Sequence, residues 1–473
     1  MRTGVAVQPK FEGKKMIFGK FRELFFVGIG GAGMSGIAEI LSNLGYKVSG
    51  SDMAPSEITD YLEKLGIKFF GEHKRGNIGT ANVVVISSAV SNDNPEVVEA
   101  REKGIPVIKR AEMLGELMRL KYSVGIAGTH GKTTTTSMTG KILIEAKLDP
   151  TVIVGGIVAG TGSGAALGAG EYLVAEADEY DKSFLSMFPS MAVITNIEPD
   201  HLDCYDGMED LENSFLTYMN RVPFYGVVVY GADDPTLQKL QSRISRASVS
   251  FGFSARADYR AVDVKYREGG SEFSVFGRGE KLGNITLNVP GQHNVLNALA
   301  SAAAAMELEI PFGTIAEALS KFRTVGRRFE IKAVVNDIMV VDDYAHHPTE
   351  VGVTLKTAKE SYKRRVIAIF QPHLFSRTKQ FYKEFAEVLH EADVAFLADI
   401  YPAREKPMAG VTSELILNYA REKGFENIHY IGPKEQAVEE VLKIARRGDM
   451  IITIGAGSIT RINPEIVRGI EGK

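Results

Sequence analysis

Val124 to Thr136 reads VGIAGTHGKTTTT, an apolar run that breaks into glycines, one lysine and four consecutive threonines. These residue types bind phosphate. Glycines let backbone N–H groups close on oxygens, lysine adds charge, and hydroxyls ligate a hard cation. A regular Walker loop carries a glycine five places before its Gly-Lys pair. Counting back from Gly131 gives Ile126, so this loop is the shorter Gly128-x-x-Gly131-Lys132-Thr133. Backbone groups of Gly128, Thr129, His130, Gly131, Lys132, Thr133 and Thr134 would face ATP. Lys132 would reach the β- and γ-phosphates, and Thr133 or Thr134 would hold Mg²⁺.

A second glycine loop lies earlier, Gly28-x-Gly30-x-x-Gly33, with Asp52 19 residues after Gly33. Its place between an apolar run and the stretch MSGIAEILSNLG fits a diphosphate on a helix N-terminus and an acid on a ribose. NAD and a UDP-sugar satisfy that pattern equally.

Other residues gather at strand ends. EYLVAEADEYD places Glu176 where a cation beside phosphates needs a carboxylate, whereas Asp178, Glu179 and Asp181 read as a solvated loop. MAVITNIEPDHLD puts Asn196 and His201 past the next strand. Cys204 cannot be a zinc partner, since one Cys and one His do not complete a tetrahedral site. His293 and Asn294 open a helix, with Asn294 either capping it or touching nucleotide. The arginines of GRRFE either clamp phosphate or form a charged linker. Asp343, His346, His347, His373 and Arg377 follow three later strands and are expected to converge on one crevice. Six of the nine histidines sit in such strand-end motifs. The loop Gly455 to Ile459, GAGSI, either adds a contact or turns the chain.

The elements that position these groups are short Val/Ile-rich runs alternating with amphipathic stretches, the pattern of α/β folds with parallel sheets. At 473 residues the chain has room for about three domains. The expected fold class is α/β in three domains. The N-terminal domain is Rossmann-like. The central one is a P-loop ATPase-like parallel sheet with a small antiparallel hairpin over residues 255–290, and the C-terminal one is Rossmann-like. The expected boundaries are a flexible extension over 1–20, a UDP-sugar domain over 21–120, an ATP domain over 121–325 and an amino-acid domain over 326–473.

With 55 basic and 59 acidic residues the formal charge is −4, which argues against sequence-independent nucleic-acid binding. One cysteine fits a reducing compartment. The first residues lack a signal-peptide core, and no run approaches the ~18 apolar residues of a membrane span. A cytoplasmic protein with no membrane or nucleic-acid partner is expected.

Two functions compete on the residues alone. An NAD-dependent oxidoreductase would use the first loop and leave Lys132, Glu176 and His201 unexplained. An ATP-dependent ligase would use all three segments. A pure ATP switch or scaffold would leave the histidine-rich third segment idle.

Taken together, GIGGAGMSGIAEIL, SGSD, AGTHGKTTT, EADE, TNIEPDHLD, HNVLNALAA, GRRFE, DDYAHHPTE and QPHLFSRT resemble the Mur ligase family, from about residue 24 to 460. The resemblance implies an enzyme of peptidoglycan precursor synthesis that uses ATP and Mg²⁺ to join L-alanine to the carboxylate of UDP-N-acetylmuramate through an acyl phosphate. The alternative within the family attaches a whole murein peptide to the same UDP-sugar. By resemblance, Gly28, Gly30, Gly31, Gly33, Asp52, His73 and Ser87 bind the UDP-sugar. Lys132 stabilises charge, Thr133 and Glu176 serve one Mg²⁺, and His201 serves a second. Asn294 meets adenine, Arg328 the phosphates, and His347 and Arg377 the alanine carboxylate. Two positions depart from the family pattern: Leu374 stands where some relatives carry arginine, and Ser458 where aspartate is common. Later-acting members use a carbamylated lysine on the helix after the DH motif. Here that stretch, Met208 to Val222, has no lysine, and its Glu209 and Glu212 read as solvated acids.

Overall fold

Among the described residues, twenty-one strands form three sheets, each fed by the apolar runs noted above. The protein is described from a computed structural model covering residues 18–87, 89–155, 165–200, 204–323, 326–403 and 405–472. Residues 1–17 of the extension expected over 1–20, and His201, lie outside these residues.

The first sheet contains β1 (Glu23–Val27), β2 (Lys47–Ser51), β3 (Lys68–Phe70), β4 (Val83–Ile86) and β5 (Val107–Lys109) in the order β3-β2-β1-β4-β5. Every pairing in it is parallel. The strand order reverses beside β1, so the turn after Val27 opens at the switch point where such sheets bind ligands.

The second sheet contains β6 (Tyr122–Ala127), β7 (Thr151–Ile153), β8 (Ala165–Ala166), β9 (Tyr172–Glu176), β10 (Met191–Ile194), β11 (Val227–Gly231), β12 (Ser248–Gly252), β13 (Tyr259–Arg267), β14 (Gly270–Gly277) and β15 (Glu280–Leu287). Their order is β15-β14-β13-β12-β11-β10-β6-β9-β7-β8. β6 lies between β10 and β9, parallel to both. Two-residue links, Glu268–Gly269 and Arg278–Gly279, join β13 to β14 and β14 to β15, which only antiparallel neighbours permit. The second link has positive φ at both residues, 50° and 91°, the geometry whose twist matches a hairpin.

The third sheet contains β16 (Glu330–Val335), β17 (Ile338–Asp343), β18 (Arg365–Phe370), β19 (Val394–Ala398), β20 (Ile428–Gly432) and β21 (Asp449–Ile454), in the order β16-β17-β21-β18-β19-β20. β16 is antiparallel to β17, and the other pairings are parallel. β17, β18 and β21 are almost wholly buried and read as continuous apolar runs because helices cover both faces.

The chain divides into two units. One carries the residues up to Arg260 with Phe276–Leu282 and Asn297–Ala318; the other carries Ala261–Val275, Gly283–Leu296 and Leu319–Lys473. Within the first, one apolar cluster runs from Leu24, Phe26 and Ile37 through Leu114 and Met118 to Phe184, Phe215 and Tyr218, and a second gathers Phe25, Val27, Ile78 and Val84. Lys121 secures the entry to β6 by donating to Thr151 Oγ1 (2.9 Å) and to the carbonyls of Gly168 and Gly170 (both 2.8 Å). Among the described residues, no helix is long and apolar enough to cross a membrane.

Candidate active site

β6 ends at Ala127, and the helix Lys132–Glu145 begins after Gly131. Between them Gly128 and Gly131 adopt φ of 135° and 85°, which side chains resist. Space also demands glycine there: a Cβ on Gly128 would collide with Thr195 Oγ1, and one on Gly131 with Asn297 Oδ1. The end of β10 clamps the loop from the side. Asn196 Oδ1 accepts the His130 N–H (2.9 Å), Asn196 Nδ2 and Thr195 Oγ1 donate to the His130 carbonyl (3.0 and 2.6 Å), and Thr129 Oγ1 accepts the Glu198 N–H (2.8 Å). The His130 ring lies 3.5 Å from Glu198. Thr134 sits in the first helical turn, whose N–H groups have no intrahelical partner and point at any bound anion.

Thr133 Oγ1 donates to both oxygens of Glu176 (3.1 and 3.0 Å), and Glu176 Oε2 also accepts the Gly155 N–H (2.8 Å). A hydroxyl beside a carboxylate at the head of this helix is an all-oxygen donor set, which fits Mg²⁺. Lys132 Nζ donates to the carbonyls of Gly128 (2.7 Å) and Thr129 (3.1 Å) and to both oxygens of Glu179 (2.9 and 2.8 Å). Burial disfavours the ammonium, but Glu179, Asp178 and Glu176 outweigh it and hold Lys132 charged well above the usual range. Glu179 was expected in a solvated loop and is instead 1 % exposed. Burial, reinforced by Asp178, pushes its carboxyl up to about 7 against the pull of Lys132. Asp178 is half-buried, and Asp181 is exposed against Lys109 at 3.0 Å.

In the first loop, Gly28 has φ 81°, and a Cβ there would lie 3.2 Å from Ser87 Oγ. The Gly30 N–H donates to Asp52 Oδ2 (2.8 Å), and Met53 donates to the other oxygen (2.8 Å), so Asp52 fixes the turn. Gly31 is the N-cap of the helix Ala32–Asn43 with no side-chain cap, leaving that end open to an anion. Arg110 flanks it: a Cβ on Gly33 would lie 3.0 Å from its guanidinium. His73 Nδ1 meets Ser51 Oγ (3.0 Å) and Glu96 Oε2 (2.9 Å), and the fully buried Glu96 also accepts from Ser51 (2.7 Å) and Asn77 (2.7 Å).

In the second unit, β17 runs into Asp343, which accepts the N–H groups of Phe329 (2.7 Å) and Ala345 (2.8 Å). Burial pushes its carboxyl up to about 6 even with Arg328 opposing. His346 lies 3.3 Å from Glu350, with its ring 5.9 Å from that of His373. Burial drives it down to about 4, with Arg377 and Arg328 adding to the effect and Glu350 opposing. His347 caps the helix Pro348–Tyr362 through its Nδ1 and packs edge-on to Phe381 at 4.9 Å. Arg377 is buried on the helix Phe375–Leu389, and His373 stacks on Tyr401 at 5.8 Å. His346 thus lies near both His373 and Arg377. Leu374 has φ 70° at the N-cap of that helix.

The two arginines of GRRFE divide their tasks. Arg327 pairs with buried Asp342 (3.0 Å) and donates to the Gly455 carbonyl (2.5 Å), a structural tie. Arg328 lies over the Tyr344 ring and 3.8 Å from Glu350, with 32 % of its side chain exposed. Asn294 lies inside the first turn of the helix Gln292–Glu307, which excludes the capping alternative, and its Nδ2 donates to the Pro290 carbonyl (2.6 Å). His293, beside it, is held down to about 4 by burial and by Arg328. Gly455 packs against the Gln371 carbonyl, so its loop turns the chain at close quarters.

Family models for the catalytic, middle and glutamate ligase domains of Mur ligases match residues 23–122, 126–305 and 327–457 in turn. The chain belongs to the Mur ligase family. Among curated Mur ligases, it is 49% identical over 456 residues to the UDP-N-acetylmuramate–L-alanine ligase of Geotalea uraniireducens, covering 96% of this chain and 100% of that one. It is 50% identical over 447 residues to the enzyme of that name from Geobacter sp. strain M21, covering 94% and 97%. A crystal structure of a UDP-N-acetylmuramate–alanine ligase from Thermotoga maritima is similar with a TM-score of 0.80 and 30% identity over 95% of this chain and 99% of that one. A murein peptide ligase from Psychrobacter arcticus reaches 0.69 and 25% over 96% and 99%.

Three residues of this Mur ligase went unnoticed in the sequence, Asn297, Arg110 and Glu96, while Glu179 was read as solvated. Among the three, Asn297 had a visible signal, since it follows Asn294 by three residues on the same helix. Glu212, expected to be solvated, is buried 2.7 Å from Lys239, whereas Glu209 is exposed.

Proposed function

We propose that the chain joins L-alanine to the carboxylate of UDP-N-acetylmuramate at the expense of ATP, in the cytoplasm, as a step of peptidoglycan precursor synthesis. The observation that carries this reading is the Thr133–Glu176 oxygen pair beside the buried ammonium of Lys132 at a helix N-terminus. Such a cradle is built for a polyphosphate and its cation, which the NAD-dependent reading leaves unexplained. The names of relatives that match nearly the whole chain supply the substrates.

Residues 21–120 bind the UDP-sugar, with its pyrophosphate on the open helix end at Gly31 and Arg110 beside it. Residues 121–325 bind ATP. Mg²⁺, held by Thr133 and Glu176, neutralises phosphate charge when bound. Lys132 stabilises the charge that builds on the γ-phosphoryl group as the substrate carboxylate attacks phosphorus and ADP leaves. The alanine amine then attacks the acyl carbon, and inorganic phosphate departs. Residues 326–473 orient alanine, with Arg377 taking its carboxylate. Neutral His346 lies close to Arg377 without adding a competing charge. His201 and Asn294 keep the roles implied by resemblance, at a second Mg²⁺ and at adenine, and Arg328 meets phosphate.

The likeness to a murein peptide ligase makes a whole peptide the alternative acceptor. Phosphate release from ATP in the presence of UDP-N-acetylmuramate, compared across L-alanine, other amino acids and a tripeptide, separates them. Release that depends on tripeptide and not on L-alanine refutes the proposal.

A further inference from the structure

Glu179 has no part in the scheme above, yet it is the most intimate side-chain partner of the nucleotide-loop lysine. An ammonium has three N–H donors. Two of those on Lys132 go to the Gly128 and Thr129 carbonyls, and the third faces the Glu179 carboxylate, with both oxygens within 2.9 Å. None remains for a phosphate. The backbone that carries this side chain is also held, because the Tyr205 hydroxyl (2.5 Å) and the Lys182 N–H (3.0 Å) both donate to the main-chain carbonyl of Glu179. Two oxygens carrying negative charge, set against the loop lysine and out of water, present to it what a terminal phosphate would present.

We propose that Glu179 is a built-in competitor for Lys132, holding the lysine while the loop is empty and releasing it to the terminal phosphates of ATP, so that this carboxylate sets nucleotide affinity. The inference rests on the ATP reading of the loop. It accounts for an acid buried in a site meant for anions, where charge repulsion would otherwise only weaken binding. It also keeps the empty loop folded, since a buried lysine without a partner is strongly destabilising.

Calorimetric titration of the full chain with ATP and Mg²⁺, with adenosine as control, tests this. Glu179→Gln keeps the shape and removes the charge. It is expected to bind ATP about 10- to 100-fold more tightly than the wild type, the worth of a charge-assisted hydrogen bond, with adenosine affinity unchanged. A residue with only a structural role would give the opposite sign. If Glu179→Gln does not fold, Glu179→Asp draws the carboxylate back by one methylene and is expected to tighten ATP binding by a smaller factor. Wild-type binding of ATP together with unchanged or weaker binding by the variant overturns the proposal. Absence of ATP binding by the wild type overturns the nucleotide reading and this inference with it.

Discussion

Replacing Lys132 with alanine removes the cation that faces the buried Glu179 carboxyl, and its consequences depend on pH. Glu179 has 2 % of its side chain exposed and Lys132 12 %, so solvent screens little of the pair. Breaking a buried pair by deleting one partner costs about 3–5 kcal/mol when the remaining charge cannot be relieved. Here it can be relieved, because the Glu179 carboxyl takes up a proton. In the wild type burial already pushes it up to about 7, against the pull of Lys132. Without that pull the folded value rises further above the ordinary 4.5. A carboxyl raised on folding stabilises the protonated, low-pH protein, and that stability is lost as pH climbs from the unfolded value through the folded one. Both proteins lose stability alike from the unfolded value up to about pH 7, so the variant should fall behind the wild type only above about pH 7, by up to about 1.4 kcal/mol per pH unit. Thermal unfolding followed by circular dichroism at pH 5 and pH 8 reads this directly: the gap between the two proteins should widen at pH 8. Ligation should fall by at least about 10²–10³ at either pH, as for loss of one transition-state charge contact, with UDP-sugar binding retained. A gap of equal size at both pH values would refute the burial argument, and retention of a tenth of the turnover would make the loop structural.

Arg377→Ala is expected to raise the KM for L-alanine by about tenfold or more while that for ATP moves little, because a guanidinium fork is the main grip available on a small zwitterion. A rise confined to ATP would mean the third sheet's crevice has been misread. Gly30→Ala places a Cβ 2.9 Å from Asp52 Oδ2 and 3.2 Å from Thr59 Cγ2. Displacing Asp52 breaks its 2.8 Å bond to the Gly30 N–H, and UDP-N-acetylmuramate affinity in calorimetry should drop by about tenfold or more. Unchanged affinity would remove the loop from the UDP-sugar site. The helix Met208–Asn220 carries no lysine, and the nearby Lys182 is taken by Asp210 at 2.7 Å, so turnover should not depend on dissolved carbon dioxide. Several-fold rescue by bicarbonate after its strict removal would show that a carbamate forms elsewhere.

Much of the site was legible because strand-end loops announce themselves locally. Gly28, Gly30 and Gly33 on one side and Gly128, Gly131, Lys132 and Thr133 on the other combine backbone freedom with charge in a spacing that a plain turn has no need of. Glu176 was readable because it closes an apolar strand. Glu179, three residues on, was not, since nothing in DEYD distinguishes a solvated acid from one folded under a lysine 47 residues earlier in the chain. The same holds for Glu96: the Asn-Pro-Glu start reads as an ordinary helix cap, and its burial under Ser51 and His73 exists only once β2 and the loop after β3 have packed. The roles of Arg327 and Arg328 likewise depend on which one Asp342 captures. Alternation over 255–290 revealed the hairpin, while the antiparallel pairing of β16 with β17 has its own local signal, the two-residue link Asn336–Asp337 with positive φ at both, which was not read from the sequence.

Transfer of oxygen tests the central claim most directly. UDP-N-acetylmuramate labelled with ¹⁸O in its carboxylate, incubated with the protein, ATP, Mg²⁺ and L-alanine, reports the fate of that oxygen by mass spectrometry of product and phosphate. An acyl phosphate formed in the Lys132 loop predicts one labelled oxygen in each inorganic phosphate released and one retained in the new amide. Unlabelled phosphate alongside amide product would contradict it.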